Sequence, residues 1–382
     1  MRAAELTREV RRRALDEGFD LVAVVRAGRP ARDAAALDAW LRRDYHAAMS
    51  WMARSSGTRA DPAVLLPGCR TIVAVSMRYG GGPDSDPGRG KIARYARGRD
   101  YHKVLGARLR RLAAWLAEAS GAPARACVDT APVLERAHAQ RAGLGWIGKN
   151  ACLIHRTLGS WTVLGEVLTA AELEPDASAH GEFCGTCTAC LDICPTGALV
   201  APGVLDARRC ISYWTIEHRG STPAELRARF GSWMFGCDDC QTVCPWNRAD
   251  AARAAAPALS RRDDLEAGLD AAGVLAMDEA EFRARFSGTP LMRARWDGMR
   301  RNACIVLGNR ADPCDAAILA RVLRDDPEGT IRAHAAWALG RIGATGRLRG
   351  SLRRERDPEV IREIRDALAV GRAQVADPKR AT

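Results

Sequence analysis

Lysine is nearly absent from this chain: of 58 basic residues, only Lys91, Lys103, Lys149 and Lys379 are not arginine. Genomic base composition produces such a bias, so arginine as a residue type carries no functional information here. Aromatic residues are scarce too, at 5%. Alanine and aliphatic residues are ample, which excludes a disordered chain. No apolar run approaches the roughly 20 residues that a membrane-spanning helix needs. No secretion leader is expected either. The N-terminal residues read as an amphipathic helix with Leu6, Val10 and Leu15 on one side. The triplet Arg11-Arg12-Arg13 is followed by Ala-Leu-Asp-Glu-Gly, where a twin-arginine signal would be apolar. The chain reads as cytoplasmic, with no membrane partner. The glycine-rich loop at 80–90 lacks the GxxxxGK[ST] order of a phosphate-binding loop, so no nucleotide site is expected there.

What the chain does have is cysteine, 13 in 382 residues, and eight of them fall between 184 and 244. Cys184-Gly-Thr-Cys187-Thr-Ala-Cys190-Leu-Asp-Ile-Cys194-Pro195 is the C-x2-C-x2-C-x3-C-P run of a two-cluster ferredoxin, in which the fourth cysteine ligates the other cluster. Cys237-Asp-Asp-Cys240-Gln-Thr-Val-Cys244-Pro245 is a second run, with Met234 where its first cysteine would stand. Cys210 fills that gap. The spacing assigns Cys184, Cys187, Cys190 and Cys244 to one [4Fe–4S] cluster, and Cys194, Cys210, Cys237 and Cys240 to the other. A zinc ribbon would leave half of these thiolates unused, and a disulfide framework does not suit a cytosolic protein. The other five, Cys69, Cys127, Cys152, Cys304 and Cys314, are expected as small buried hydrophobes.

Residues 1–175 alternate helical and strand patterns, as an α/β layer fold does. Strands are expected at 19–25, 71–76, 126–128, 151–154 and 161–168, and helices near 33–42, 102–119 and 132–142. Residues 176–250 form the ferredoxin-like segment, and 251–290 a helical connection. From 291 the chain repeats itself. Arg301-Asn-Ala-Cys-Ile-Val-Leu-Gly308 returns as Ala333-His-Ala-Ala-Trp-Ala-Leu-Gly340, and Asp326-Pro-Glu returns as Asp357-Pro-Glu. A period near 30 residues with helix pairs is that of HEAT-like repeats. This tail holds 19 basic against 12 acidic residues, more than half of the chain's net +12. Arg341, Arg347, Arg349, Arg353, Arg354 and Arg356 cluster in it, which suits contacts to an RNA backbone; each alone is more often an ordinary solvated residue.

Five stretches together resemble the epoxyqueuosine reductase family. They are Lys91-Ile-Ala-Arg-Tyr-Ala-Arg-Gly-Arg-Asp-Tyr-His102, Val128-Asp-Thr-Ala-Pro-Val-Leu-Glu135, Gly143-Leu-Gly-Trp-Ile-Gly-Lys-Asn150, Cys210-Ile-Ser-Tyr-Trp-Thr-Ile-Glu-His218 and Phe235-Gly-Cys-Asp-Asp-Cys-Gln-Thr-Val-Cys-Pro-Trp-Asn247. The resemblance implies a nitroreductase-like α/β domain, related to that of reductive dehalogenases, which holds cobalamin beside the ferredoxin domain. It implies a substrate tRNA whose wobble epoxyqueuosine is reduced to queuosine, with electrons from a ferredoxin- or flavodoxin-type donor. A monomer is expected. No spacing in the sequence reports cobalamin directly, and the Asp-x-His-x-x-Gly signature of other B12 proteins is missing.

The residues alone favour Asp129 as a helix N-cap ahead of Ala-Pro. The resemblance instead implies the proton donor, with a carboxyl raised by burial against the corrinoid. It also makes Tyr95, His102, Lys149, Asn150, His155, Ser212 and Glu217 candidates for contacts to cofactor or nucleotide. Trp146, Trp214 and Trp246 read as packing or as platforms for a flipped-out base. The rival activity is a corrinoid reductase of a small molecule such as an organohalide. A third reading is an electron carrier on a repeat scaffold.

Overall fold

The computed structural model describes residues 1–176, 181–248 and 255–376. The expected segment boundaries near 176 and 250 fall beside residues outside that set. Two compact units emerge, and neither is continuous in sequence. The first comprises Met1–Pro83, Arg94–Arg208 and Asp238–Arg262; the second comprises Asp84–Ala93, Arg209–Cys237 and Asp263–Thr382. The units therefore do not follow the four successive segments read from the sequence, and residues 209–237 of the ferredoxin-like stretch belong with the tail.

The first unit is built on a sheet ordered β1-β2-β7-β4, with β1 Leu21–Arg26, β2 Thr71–Arg78, β4 Ala124–Cys127 and β7 Thr162–Thr169. Every pair in it is antiparallel, so the helix–strand alternation does not produce parallel pairing here. Side chains alternate between the two faces. Val24, Val73, Val75, Met77 and Val167 face helices α1 (Ala3–Asp16) and α3 (Tyr101–Ser120), where Leu6, Val10, Leu105, Leu109, Leu112 and Leu116 cover them. Helix α2 (Ala31–Arg42) lies between β1 and β2 in sequence. Ala23, Val25, Ile72, Ala74 and Leu168 face the other way, among Val133, Ala139, Ala142 and Leu144 in and around helix α4 (Glu135–Arg141). Burial on both faces suits the apolar run Ile72–Val75 of β2, and Thr71 and Ser76 of the same strand are buried as well. Leu15 does not join the buried side of α1; it is 52% exposed, and Ala14 takes the inward position.

Helix α3 carries much of the site, and two features fix it. Asp100 caps its start by accepting from the His102 amide at 3.0 Å. On β7, a Cβ at Gly165 would stand 2.6 Å from Leu109 Cδ1, so a larger residue there would push this side chain of α3 aside. Short pairs β5–β6 (Trp146–Ile147, Leu153–Ile154) and β8–β9 (Leu199–Ala201, Val204–Leu205) complete the unit's strands among the described residues. Helix α4 begins at Glu135, three residues after the expected start, because residues 131–133 bend first.

The second unit pairs β3 (Lys91–Ile92) parallel to β10 (Trp233–Phe235) and adds helices α5 (Arg295–Arg310), α6 (Ala316–Asp325), α7 (Gly329–Ile342), α8 (Thr345–Leu352) and α9 (Pro358–Ala376). The connection at 251–290 holds only short helices, of which Glu279–Phe286 is the longest described. The two glycines that mark the sequence repeat do the same job. A Cβ at Gly308 would meet Trp337 at 2.4 Å, and one at Gly340 would meet Ala367 at 2.7 Å, so each lets its helix approach the next. Asp326 and Asp357 likewise accept from the amides of Glu328 and Glu359 ahead of α7 and within α9.

Candidate active site

The loop after β4 carries Asp129 with its side chain 55% exposed. It caps no helix: the N-cap of α4 is Leu134, without a side-chain bond. Asp129 faces α3 instead. Its Oδ2 lies 2.8 Å from His102 Nε2, and His102 Nδ1 lies 2.8 Å from Asp100 Oδ1. Asp100 thus caps α3 and clamps the imidazole from behind. Burial lowers the affinity of His102 for a proton, but the two carboxylates outweigh it and push the pKa up to about 9. The ring is therefore an imidazolium at neutral pH, donating from both nitrogens.

Tyr101 stacks on this ring at 4.0 Å between centroids and gives its hydroxyl to Asp129. Burial pulls the Asp129 carboxyl upward, yet the bonds from His102 and Tyr101 and the charges of His102 and Arg136 prevail. The carboxyl lies below its usual range. That is the reverse of the raised value expected for a lone donor; the proton of this pair sits on His102. Tyr95, edge-on to Tyr101 at 5.9 Å and to Tyr79 at 6.3 Å, lines the same region.

The cysteine segment gathers in part within the same unit. Cys184, Cys187, Cys190 and Cys244 are electrostatic neighbours: burial and one another's proximity raise the thiols of Cys190 and Cys244. Cys184 and Cys244 pack on Trp146, Ile154 and Trp246, and Phe183 closes an aromatic trio with the two tryptophans at 5.0–6.2 Å. Backbone amides of Leu191 and Trp246 point at Cys190 and Cys244, as N–H···S bonds around a cluster do. Among the described residues, no three His, Cys, Asp or Glu side chains converge as ligands of one ion would. In the other set, Cys194 accepts from the Ala198 amide at 3.2 Å; Cys240 shares its unit, whereas Cys210 and Cys237 belong to the second.

The remaining candidates separate. Lys149 spans the carbonyls of Gly185 and Cys187 at 2.7 and 2.9 Å, and Asn150 meets the Cys240 carbonyl at 3.5 Å, so both serve the cysteine loops. His155 accepts from the amides of Thr157 and Leu158 in its own turn. In the second unit, Ser212 opens a π-helical turn at Tyr213–Glu217 and Glu217 pairs with Arg293 at 2.7 Å. Trp146 is 0% exposed and Trp214 is buried against His218, so neither offers a face to a base. Cys314 is exposed and Cys69 and Cys152 are half-buried, which leaves Cys127 and Cys304 as the fully buried thiols among the five. Sequence reasoning missed Asp100, Tyr101, Arg59, Glu135, His138 and Glu166. The Asp-Tyr-His spacing at 100–102 was the one available signal.

An α-helix-covered antiparallel sheet with an acid pair, joined to a double-cluster cysteine segment, defines an iron–sulfur oxidoreductase. A 4Fe-4S double cluster binding domain matches residues 183–247, and the epoxyqueuosine reductase model DUF1730 matches residues 59–130. The chain is 44% identical over 321 residues to an epoxyqueuosine reductase of Xanthomonas campestris, covering 81% of this chain and 89% of that one. It is 43% identical to one of Pseudomonas aeruginosa, covering 81% and 87%. A crystal structure of epoxyqueuosine reductase with an epoxyqueuosine-modified tRNA-Tyr stem loop superposes with a TM-score of 0.89 at 31% identity, covering 96% of this chain and 99% of that one. The Bacillus subtilis enzyme, solved with its catalytic aspartate loop swung out of the active site, gives 0.87 at 31% identity, covering 96% and 99%. The chain belongs to the epoxyqueuosine reductase family.

Proposed function

We propose that the protein reduces epoxyqueuosine at the wobble position of a tRNA anticodon to queuosine, with the His102–Asp129 pair as the proton source. The carrying observation is the 2.8 Å contact between an imidazole clamped from behind by Asp100 and a carboxylate that is more than half exposed. Removal of the epoxide oxygen as water leaves an alkene and takes two electrons and two protons. His102 holds a proton at neutral pH, and Asp129 presents it to the departing oxygen. Arg136 and Tyr101 keep Asp129 anionic until that transfer.

The half-buried rings of Tyr95 and Tyr101, beside an exposed acid, suit the broad flat face of a corrinoid. Bound cobalamin supplies a strongly nucleophilic reduced metal, and the two clusters supply electrons one at a time. Cys184, Cys187, Cys190 and Cys244 would hold one cluster; Cys194, Cys210, Cys237 and Cys240 would hold the other. Lys149 and Asn150 fix the backbone of those loops. The nitroreductase-like character of the first unit, HEAT-like repeats from 291, their arginines as RNA contacts, a ferredoxin- or flavodoxin-type donor, a monomeric state and a cytoplasmic location belong to the same reading. Among the described residues no helix is long and apolar enough to cross a membrane.

The test is an anaerobic assay with reconstituted clusters, cobalamin, a strong reductant and tRNA bearing epoxyqueuosine. Mass spectrometry of the digested tRNA should show a nucleoside lighter by one oxygen. Survival of the epoxide in the presence of all cofactors would overturn the function.

A further inference from the structure

The reaction proposed above consumes two protons, and the His102–Asp129 pair carries one. A second acid lies behind it. Glu135 opens α4 directly after the loop of Asp129; its Oε1 is shut off from solvent and has no hydrogen-bond partner. Three residues on, at the spacing that shares a helix face, His138 is 0% exposed. Its Nδ1 lies 3.0 and 3.1 Å from the two oxygens of Glu166 on β7, itself 1% exposed, and its Nε2 also lacks a partner. Buried polar atoms without partners are rare in folded proteins and call for a reason.

The groups facing Glu135 are known from every side. Glu166 comes from β7, Asp129 from the loop, Tyr101 from α3, Cys127 from β4 and Arg59 from the helix Ser56–Ala60, with Arg136 and His138 on its own helix. Burial, then the negative charges of Glu166 and Asp129, raise the Glu135 carboxyl well above its ordinary range; the Asp129 amide and Arg136 oppose this without reversing it. Glu135 therefore holds a proton more tightly than Asp129 does while His102 is charged, and discharge of His102 removes the main cause that keeps the Asp129 carboxyl low. Arg59 and Arg136 stand ready to compensate the charge when the proton leaves.

We propose that Glu135 is the second proton store of this site, recharging Asp129 after the His102–Asp129 pair has discharged. In this step a Glu135 O–H bond breaks and an Asp129 O–H bond forms, leaving a carboxylate on Glu135 and moving no electrons. Asp129 then hands the proton to the departing oxygen, which leaves as water, and solvent reloads Glu135 between turnovers. Glu166, held by His138, keeps the store filled by its charge. The inference rests on the reaction proposed above.

The experiment is single-turnover reduction of epoxyqueuosine tRNA by pre-reduced holoenzyme, from about pH 6 to pH 9, with wild type, Asp129→Asn, Glu135→Gln and Glu135→Asp. Glutamine keeps the shape of Glu135 but has no acidic proton. The expected result is a Glu135→Gln rate within about twofold of wild type near pH 6, where solvent recharges Asp129, and roughly tenfold or more slower near pH 8. Glu135→Asp should recover part of the loss. A loss by the same factor at every pH marks a merely structural residue and overturns the proposal, as does no loss. If Glu135→Gln fails to fold, the infrared spectrum of the wild type decides. A protonated-carboxyl band persisting above pH 7 is expected, and its absence overturns the proposal. Wild type without product would sink the reaction itself, and full activity of Asp129→Asn would sink the acid pair; neither outcome mimics the pH-dependent loss.

Discussion

His102 Nε2 stands 2.8 Å from Asp129 Oδ2, so a residue of the first turn of α3 and a residue of a loop 27 positions later form one hydrogen-bonded pair. Neither should work without the other. His102→Gln and Asp129→Asn are each expected to slow epoxide reduction by about 100-fold or more, the range for lost general acid catalysis. The double variant should be hardly slower than either single one, since both remove the same proton path. Single-turnover rates of the three variants check this; multiplied losses would show two independent roles.

The pH dependence follows from the same contact. The folded-state value of His102, about 9, lies above its ordinary 6.5. The imidazolium contacts stabilise the fold fully below about pH 6.5, and this contribution is lost as pH rises through about 9. The melting-temperature gap between wild type and His102→Asn should therefore shrink from pH 6 to pH 9.5. The reaction rate should fall over the same upper limb.

Acid should strike the second unit. His334 accepts from the Thr222 amide at 3.1 Å and donates to the Thr330 carbonyl at 2.7 Å, which requires the neutral ring. Burial, with Arg227 nearby, keeps its pKa well below the ordinary value, and burial with Arg301 brings His218 down to about 4. Stability that is present above pH 6.5 should be lost as pH falls through about 4. Thermal melts across this window should show the decline, and His334→Gln should flatten it at the cost of lower stability at pH 7.

Asn302 is expected to be the most sensitive uncharged position in that unit. Its amide donates to the carbonyls of Thr215 and Met234 at 2.8 and 2.9 Å, and its oxygen accepts from Arg301. Asn302→Leu strands two buried carbonyls, a loss of about 3 kcal/mol. Thr215 follows Cys210 by five residues and Met234 precedes Cys237 by three, so iron content should fall as well. Chemical denaturation and iron analysis read the two effects.

Cys190→Ser should remove one cluster and spare the other, giving about half the wild-type iron. Iron and sulfide analysis of anaerobically purified protein tests the assignment; loss of all iron would show that the two clusters assemble as one.

The cysteine spacing and the sheet and helix periods were legible in the sequence because both are local. The strand at 71–76 extends only two residues further, and the helix at 102–119 gains one residue at each end. Leu15 does not share the stripe because, at 3.6 residues per turn, it stands about 180° around the helix from Leu6, whereas Ala14 follows Val10 by four residues on the same face. The start of α4 was misread because Pro132 resembles a first-turn proline, whereas the chain bends there. Asp129 was legible only through family resemblance, and its state was not legible at all. A carboxyl's proton affinity depends on His102, which α3 packing against Gly165 brings near. The Glu135–His138–Glu166 group left only an i, i+3 pair on a short helix, a pattern that surface helices share. Lys149, Asn150, Ser212 and Glu217 stand in the family's motifs, and a motif does not say which way its side chains turn.

The chain passes between its two units five times, at 83/84, 93/94, 208/209, 237/238 and 262/263. During synthesis, the first unit cannot be completed when its sheet has emerged. Its last piece, Asp238–Arg262, follows a stretch that belongs elsewhere and has to wait for residues up to 376 to find its helices. Domains usually fold as units in the order they leave the ribosome, but no contiguous half of this gene encodes either one. Split-gene expression, fragment cloning and grafting of the tail onto another enzyme would each cut through a folding unit, and the order of translation would leave thiols 184 to 194 exposed to metals and oxidants until Cys244 arrives.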